Sequence, residues 1–289
     1  MPQWQSLFSV LREHDIRVSD RDMPRPVGGG DISSAWRVRA DGHHVFLKTG
    51  PASSYEMFLA ESEGLKELEK ADALRVPRVL GCVVSGTEAM LALEWINFEP
   101  ASTDAEREFG RLLAKQHRCR KKRFGWHRDN TIGSTPQINS RSDDWVQFFT
   151  EHRLGFQLEL AARNGFGGKL QVDGWKLIDG LGKFFSGYWP EPSLLHGDLW
   201  GGNWAVAAGH PVVFDPAVYY GDREADIAMT MLFGGFGRAF YGAYEEEWPF
   251  EPGIEERLEI YKLYHVLNHL NLFGSAYLSR AESILRNLV

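Results

Sequence analysis

The sequence predicts an α+β fold, with strands in the first third and mainly helices beyond, as one domain or as two lobes sharing a cleft. Three observations carry that reading. Five candidate strands, at about 25–31, 33–39, 42–48, 77–83 and 88–96, are separated by turn residues or by one helical pattern. Past residue 98 the composition changes, and apolar residues recur mostly at helical spacing. Within this C-terminal region, the stretch 192–216 (PSLLHGDLWGGNWAVAAGHPVVFDP) has short apolar runs on both sides of Ala208-Gly209, the mark of a tight hairpin. The lobes are read as residues 1–97 and 98–289.

A chain of 289 residues with 43% apolar content is long enough for a large core and is not disordered. Its net charge of −7 argues against a general nucleic-acid binder, yet leaves room for a locally basic nucleotide cleft. Cys82 and Cys119 are the only cysteines, which excludes a disulfide scaffold or Cys-rich zinc site and favours a reducing compartment. The N-terminus has no basic-then-apolar leader, and no apolar run reaches membrane-spanning length. The expectation is a soluble cytoplasmic protein without membrane or nucleic-acid partners, monomeric or weakly homodimeric.

Taken in order, residues 3–14 put Trp4, Leu7, Phe8 and Leu11 on one side of a leading helix that covers the sheet. Gly28-Gly29-Gly30 then precede an alternating run. Glycines let backbone N–H groups approach phosphates, and Ser33 or Ser34 adds a donor, although a hairpin without ligand has the same pattern. The stretch matches neither a Walker loop nor a dinucleotide fingerprint. One hairpin later a strand ends at Lys48, placed as the lysine that pairs with the α- and β-phosphates. Its ammonium needs a carboxylate. The helical pattern of 54–71 supplies Glu61 or Glu63, which charge alone does not separate. Ser85-Gly86-Thr87 turns the chain between the last two strands.

In the C-terminal lobe Ser102 caps a helix over 103–118, and His117 at its end reads as structural. The basic run RCRKKRFG (118–125) is too short, in an acidic chain, to read as a nucleic-acid patch. It leads into a polar, aromatic-bearing loop through Gln137. There Asn130, Thr135 and Gln137 offer hydrogen bonds, and Trp126 offers either an aromatic face or a packing side chain. Helices follow over 142–165, around Leu177, Leu181 and Phe185, and over 236–246, 254–272 and 275–287. His265 and His269 share a helix face, but no acidic partner completes a zinc pattern.

The hairpin of 192–216 carries the chemistry. Phosphoryl transfer from a nucleotide needs a carboxylate to orient a hydroxyl and accept its proton. It also needs an amide oxygen and a second carboxylate to hold Mg²⁺ against phosphates. Asp198 is the candidate base, and Asn203 and Asp215 are the candidate metal ligands. The hairpin brings the last two together, and the spacing D-x-x-x-x-N is that of a kinase catalytic loop. Either aspartate alone would read as a turn residue beside glycine.

The string HGDLWGGN followed by FDPAVYYGDREADIAM resembles the fructosamine kinase (ketosamine-3-kinase) family, within the aminoglycoside-phosphotransferase-like branch of the protein-kinase fold. The segments MFLAESEGL and FGW…DNTIGSTPQ extend the likeness, which covers nearly the whole chain. The resemblance implies a bilobal protein-kinase-like fold, with a small N-terminal antiparallel-sheet lobe, a larger, mainly helical C-terminal lobe, and ATP and Mg²⁺ as cofactors. It selects Glu61 over Glu63. It makes residues 94–96 the hinge, where backbone groups of Glu94 and Ile96 pair with adenine, the Glu94 side chain is incidental, and Trp95 or Ile96 lines the rim. Asp226 would accept bonds from the catalytic-loop backbone, and His196 joins it as structural support. Trp126, Asn130 and Trp200 are the expected acceptor walls. The implied reaction is phosphorylation of a sugar-derived ketoamine, a fructosamine or ribulosamine, at the sugar's third hydroxyl, a step in deglycation. Alternatives are a kinase of a free sugar, a choline-like amino alcohol or an aminoglycoside, and a catalytically inactive nucleotide-binding protein. A protein kinase fits less well, because Asp215 is followed by proline and no long activation segment follows it.

Overall fold

The computed structural model describes residues 4–13, 16–18, 22–28 and 33–289. A leading helix α1 (Trp4–Glu13) precedes a sheet built from β1 (Arg25–Pro26), β2 (Ser34–Ala40), β3 (His43–Pro51), β4 (Val79–Ser85) and β5 (Glu88–Glu94). The strands lie antiparallel in the order β1-β2-β3-β5-β4, and helix α2 (Tyr55–Lys70) connects β3 to β4. Strand β5 shows why the sheet takes helices on both faces. Its Met90 and Ala92 join Leu7, Phe8 and Leu11 of α1 in one core, while Ala89, Leu91 and Leu93 join Phe58, Leu65 and Leu68 of α2 in the other. Period-two alternation in a strand with an apolar interior thus serves two cores at once.

Strand boundaries differ from the sequence pattern where pairing, not alternation, decides them. The run expected at 25–31 pairs only at Arg25 and Pro26, and residues 29–31 lie outside the described residues. β3 continues past Lys48 to Pro51, because Thr49, Gly50 and Pro51 pair with Met90, Ala89 and Glu88. β4 starts after Pro77, which has no N–H to give a ladder.

The second lobe opens with α3 (Thr103–His117), whose first turn is capped by Ser102 Oγ accepting from Ala105 N at 3.1 Å. A small hairpin follows, β6 (Asn130–Ile132) and β7 (Thr135–Gln137). The helix expected over 142–165 is α4 (Trp145–Phe149), a π turn (Thr150–Gly155) and α5 (Phe156–Arg163). Arg153 lies in that π turn, fully buried, 4.1 Å over the Tyr219 ring and donating to Ile138 O at 2.6 Å. Helix α6 (Lys169–Asp179) leads to β8 (Ser193–Leu195), the hairpin β9 (Trp204–Ala207) and β10 (His210–Val213), and β11 (Tyr219–Gly221), which pairs with β8. Four helices close the chain: α7 (Glu224–Leu232), α8 (Arg238–Glu247), α9 (Ile254–Phe273) and α10 (Leu278–Leu288). The larger core runs from the α2 side of the sheet into these helices. None of the helices among the described residues is long and apolar enough to cross a membrane.

Candidate active site

A cleft of about 1,060 Å³ lies between the sheet and the helical lobe, and Lys48, Asp198, Asn203 and Asp215 all line it. Lys48 points from β3 onto Glu61 of α2, at 2.8 and 3.0 Å, and across the cleft onto Asp215, at 2.7 Å. Burial pulls the Lys48 pKa down, but Asp215 and Glu61 more than offset this and raise it, so the ammonium stays charged. Burial lifts Glu61 to about 6 against the pull of Lys48. Glu63 turns elsewhere, bonding His127 at 2.8 Å and Arg128 at 3.1 Å.

The β9–β10 hairpin positions the other two groups. Its turn has left-handed φ values at Ala208 (51°) and Gly209 (81°), which match the twist of paired strands. At the open end Phe214 N donates to Asn203 O at 3.1 Å. The Asn203 amide donates from Nδ2 to Asp198 O at 2.8 Å and Asp198 Oδ2 at 3.2 Å. Asp215 holds φ at 57°, a left-handed conformation that aspartate adopts more readily than most non-glycine residues and that its surroundings enforce here. Burial, then the charge of Asp215, pushes Asp198 up to about 7.

That enforcement comes from behind the site. Asp226 accepts from His196 N at 2.7 Å, Gly197 N at 2.9 Å and His117 Nε2 at 3.2 Å. His196 donates from Nε2 to Phe214 O at 3.0 Å, leaving Nδ1 to accept from Asp198 N at 3.3 Å. Burial lowers the His196 pKa, in keeping with this neutral tautomer. Gly197 has φ 84°, and a Cβ there would stand 2.0 Å from Ala217 O. The far side of the Asp215 segment is tied by amides: Gln137 Nε2 donates to Ala217 O at 3.0 Å, and Asn130 Nδ2 to Val218 O at 2.8 Å.

This arrangement corrects the expected acceptor walls. Trp126 is 4% exposed and packs in the core beside His127 instead of facing the cleft. Asn130 reaches the cleft wall, but its Oδ1 accepts from Gln137 and Asn139, both at 2.8 Å, so its amide serves the backbone support. Thr135 and Gln137 are buried as well. Trp200 does line the cleft, at 40% exposure. Of the glycine loop, Gly28 and Ser33 line the cleft, while Gly29 and Gly30 lie outside the described residues. At the hinge Glu94 and Ile96 line it too, but the Glu94 N–H donates to Arg78 O at 2.8 Å. The Glu94 side chain is not incidental: it bonds Arg75 at 2.9 Å and Arg78 N at 3.2 Å, fixing the strand end. Sequence reasoning missed Phe98 and Phe214, stacked at 5.2 Å on the cleft wall, and Phe233, Phe273 and Tyr277 at its other end. The helical spacing of His269, Phe273 and Tyr277 was the available signal.

Comparison with known proteins places the chain. The family model described as Fructosamine kinase matches residues 3–289. The chain belongs to the fructosamine kinase family. It is 40% identical over 288 residues to a probable ketoamine kinase of Synechocystis sp., covering 98% of this chain and 96% of that one. It is 43% identical over 264 residues to a chloroplastic protein-ribulosamine 3-kinase of Oryza sativa subsp. japonica, covering 90% and 76%. A crystal structure described as a "putative fructosamine-3-kinase" from Haemophilus somnus superposes with a TM-score of 0.90 at 29% identity, over 99% of this chain and 97% of that one. An aminoglycoside phosphotransferase shares the bilobal fold alone, with a TM-score of 0.67 at 17% identity over 99% and 100% of the two chains. As a fructosamine kinase family member the chain is an ATP-dependent kinase.

Proposed function

We propose that this kinase transfers the terminal phosphoryl group of Mg-ATP to the third hydroxyl of a sugar-derived ketoamine, a fructosamine or ribulosamine. One observation carries the catalytic half. Asp198 and Asp215 each keep one carboxylate oxygen without a hydrogen-bond partner among the described residues, beside a charged, fixed Lys48. The ketoamine half rests on relatives described as ketoamine and protein-ribulosamine kinases.

The donor set fits a magnesium nucleotide. Asn203 uses its Nδ2 within the protein, and its Oδ1 has no partner among the described residues. With the second oxygen of Asp215 it offers two hard donors, and no group of three His, Cys, Asp or Glu able to hold a metal exists among the described residues. Two protein oxygens suit a magnesium ion whose remaining ligands are phosphate and water. When bound, it would supply charge neutralisation at the transferring phosphate. Lys48 would bond α- and β-phosphate oxygens, and Gly28 and Ser33 would border them. Asp198 would accept a hydrogen bond from the acceptor hydroxyl, align it and take its proton; the Asn203 bond holds that carboxylate in place. We place the division between nucleotide and acceptor lobes at residues 97 and 98, between β5 and α3.

The test supplies fructosyl-lysine, ribulosyl-lysine, free fructose, free ribulose and choline with Mg-ATP. Expected is a higher kcat/KM for the ketoamines, with phosphate at the third hydroxyl by NMR. A free sugar or choline outrunning both ketoamines would overturn the acceptor class.

A further inference from the structure

The end of the cleft beyond Asp198 is built from rings. Trp200 meets Phe233 at 6.4 Å, Phe233 meets His269 at 4.6 Å, and His269 meets Phe273 at 5.5 Å and Tyr277 at 5.1 Å. All five line the cleft that holds Asp198, Asn203 and Asp215. They come from three places in the chain: the catalytic loop, the segment after α7, and the α9–α10 junction. Trp200, Phe233 and Phe273 are 40%, 37% and 51% exposed, unusual for three large apolar side chains that converge on one opening.

The charges around this opening matter as much as the rings. The acidic residues lining the cleft are Glu61, Glu94, Asp198 and Asp215. Glu61 is held by Lys48 and Glu94 by Arg75, both on the sheet side. Apart from Asp198 and Asp215, which the proposed reaction uses, no carboxylate among the described residues lines the ring end of the cleft. Arg280 lies 5.8 Å over Phe233 and donates to Leu232 O at 2.9 Å, so a positive group stands at this rim. Burial lowers the His269 pKa, which keeps that ring neutral. Beyond those two carboxylates a polycationic acceptor finds no counter-charge along the described lining, whereas an apolar group finds ring faces.

We propose that this aromatic mouth binds the substituent on the ketoamine nitrogen and selects substrates whose substituent is apolar, such as an aromatic group or the methylene stem of a lysine side chain. The proposal rests on the ketoamine reading above. With the sugar hydroxyl at Asp198, the substituent leaves the sugar toward one end of the cleft, and the nucleotide groups occupy the other. Ring faces also tolerate the protonated nitrogen next to the substituent.

The experiment uses three fructosamines that differ only in the group on nitrogen: ethyl, butyl and benzyl. Their kcat/KM values are measured with the wild-type chain and with Phe273→Ala. Phe273 is half exposed, so its truncation leaves the core packing in place. Expected is a rise from ethyl to benzyl of about 10-fold or more, as apolar pocket discrimination usually gives. In Phe273→Ala the benzyl-to-ethyl ratio falls by about threefold or more. Equal kcat/KM for the three adducts overturns the mouth as a selecting site while leaving the ketoamine reading intact. A graded preference that Phe273→Ala does not change overturns the assignment to these rings. No turnover of any adduct defeats the ketoamine reading, and this proposal with it.

Discussion

Asp215 and Glu224 lie a short run apart in the chain, and their surroundings are opposite. Both Glu224 oxygens are taken by Arg257, at 2.7 and 2.8 Å, and neither side chain is more than 1% exposed. Its neighbour Asp222 is equally complete, accepting from Tyr188 at 2.8 Å, Tyr261 at 2.5 Å and Glu224 N at 3.0 Å. Asp215 has one oxygen on Lys48, a side chain 42% exposed and a left-handed backbone. A buried carboxylate with both oxygens bonded to the protein can only hold shape. One held rigidly yet left unfinished keeps capacity for a ligand, and the strain at Asp215 is retained by the bonds around it.

The comparison predicts different failures. Glu224→Ala leaves the Arg257 guanidinium buried without its partner, a change of roughly 3–5 kcal/mol in stability. A urea titration should show a large fall in midpoint; an unchanged midpoint would break the distinction. Asp215→Ala should instead leave the midpoint close to wild type, because Glu61 still pairs with Lys48. It should weaken Mg-ATP binding by at least roughly 10–100-fold, the range for losing a group that only supports a metal ligand. Calorimetry with and without Mg²⁺ reads this directly, and undiminished Mg-ATP affinity would remove Asp215 from the metal site.

A smaller effect sharpens the contrast from the side of the bases. Burial lowers the pKa of His265 to about 3. Unfolded, this ring titrates near its ordinary value of about 6.5. A base depressed in the folded state contributes stability that is complete above about pH 6.5 and is lost as pH falls toward the folded value, since the unfolded chain binds the extra proton. Between pH 7 and pH 5 the loss from His265 is about 2 kcal/mol. His265→Leu should flatten the wild-type pH dependence over that window by this amount, and parallel curves would contradict it.

Much of this division was legible in the chain, and the illegible features share a cause. Asn203 and Asp215 could be read because a two-residue turn brings them together locally, and Asp198 because it stands five residues before Asn203. Lys48 could be read because it closes an apolar run one hairpin after the glycines, although the strand runs on to Pro51. Gln137 was misplaced, and the structural tie of Asn130 was missed, because their amides bond Ala217 and Val218, far along the chain. A polar loop with an aromatic residue has the same composition whether it faces a ligand or a neighbouring backbone. The π turn at Arg153 was hidden for the same reason, since the rings of Phe148 and Tyr219 that receive its charge come together only in the fold.

The central claim is that the unfinished carboxylates of the cleft serve chemistry and not stability, and Asp198→Asn tests it most directly. Single-turnover phosphoryl transfer to a ketoamine is measured on the variant alongside its urea midpoint and Mg-ATP affinity. The account predicts a rate lower by roughly 10²–10⁴-fold, the usual effect of losing a positioned base, with midpoint and affinity near those of the wild type. A folded variant that transfers phosphate at near-normal rate would contradict it.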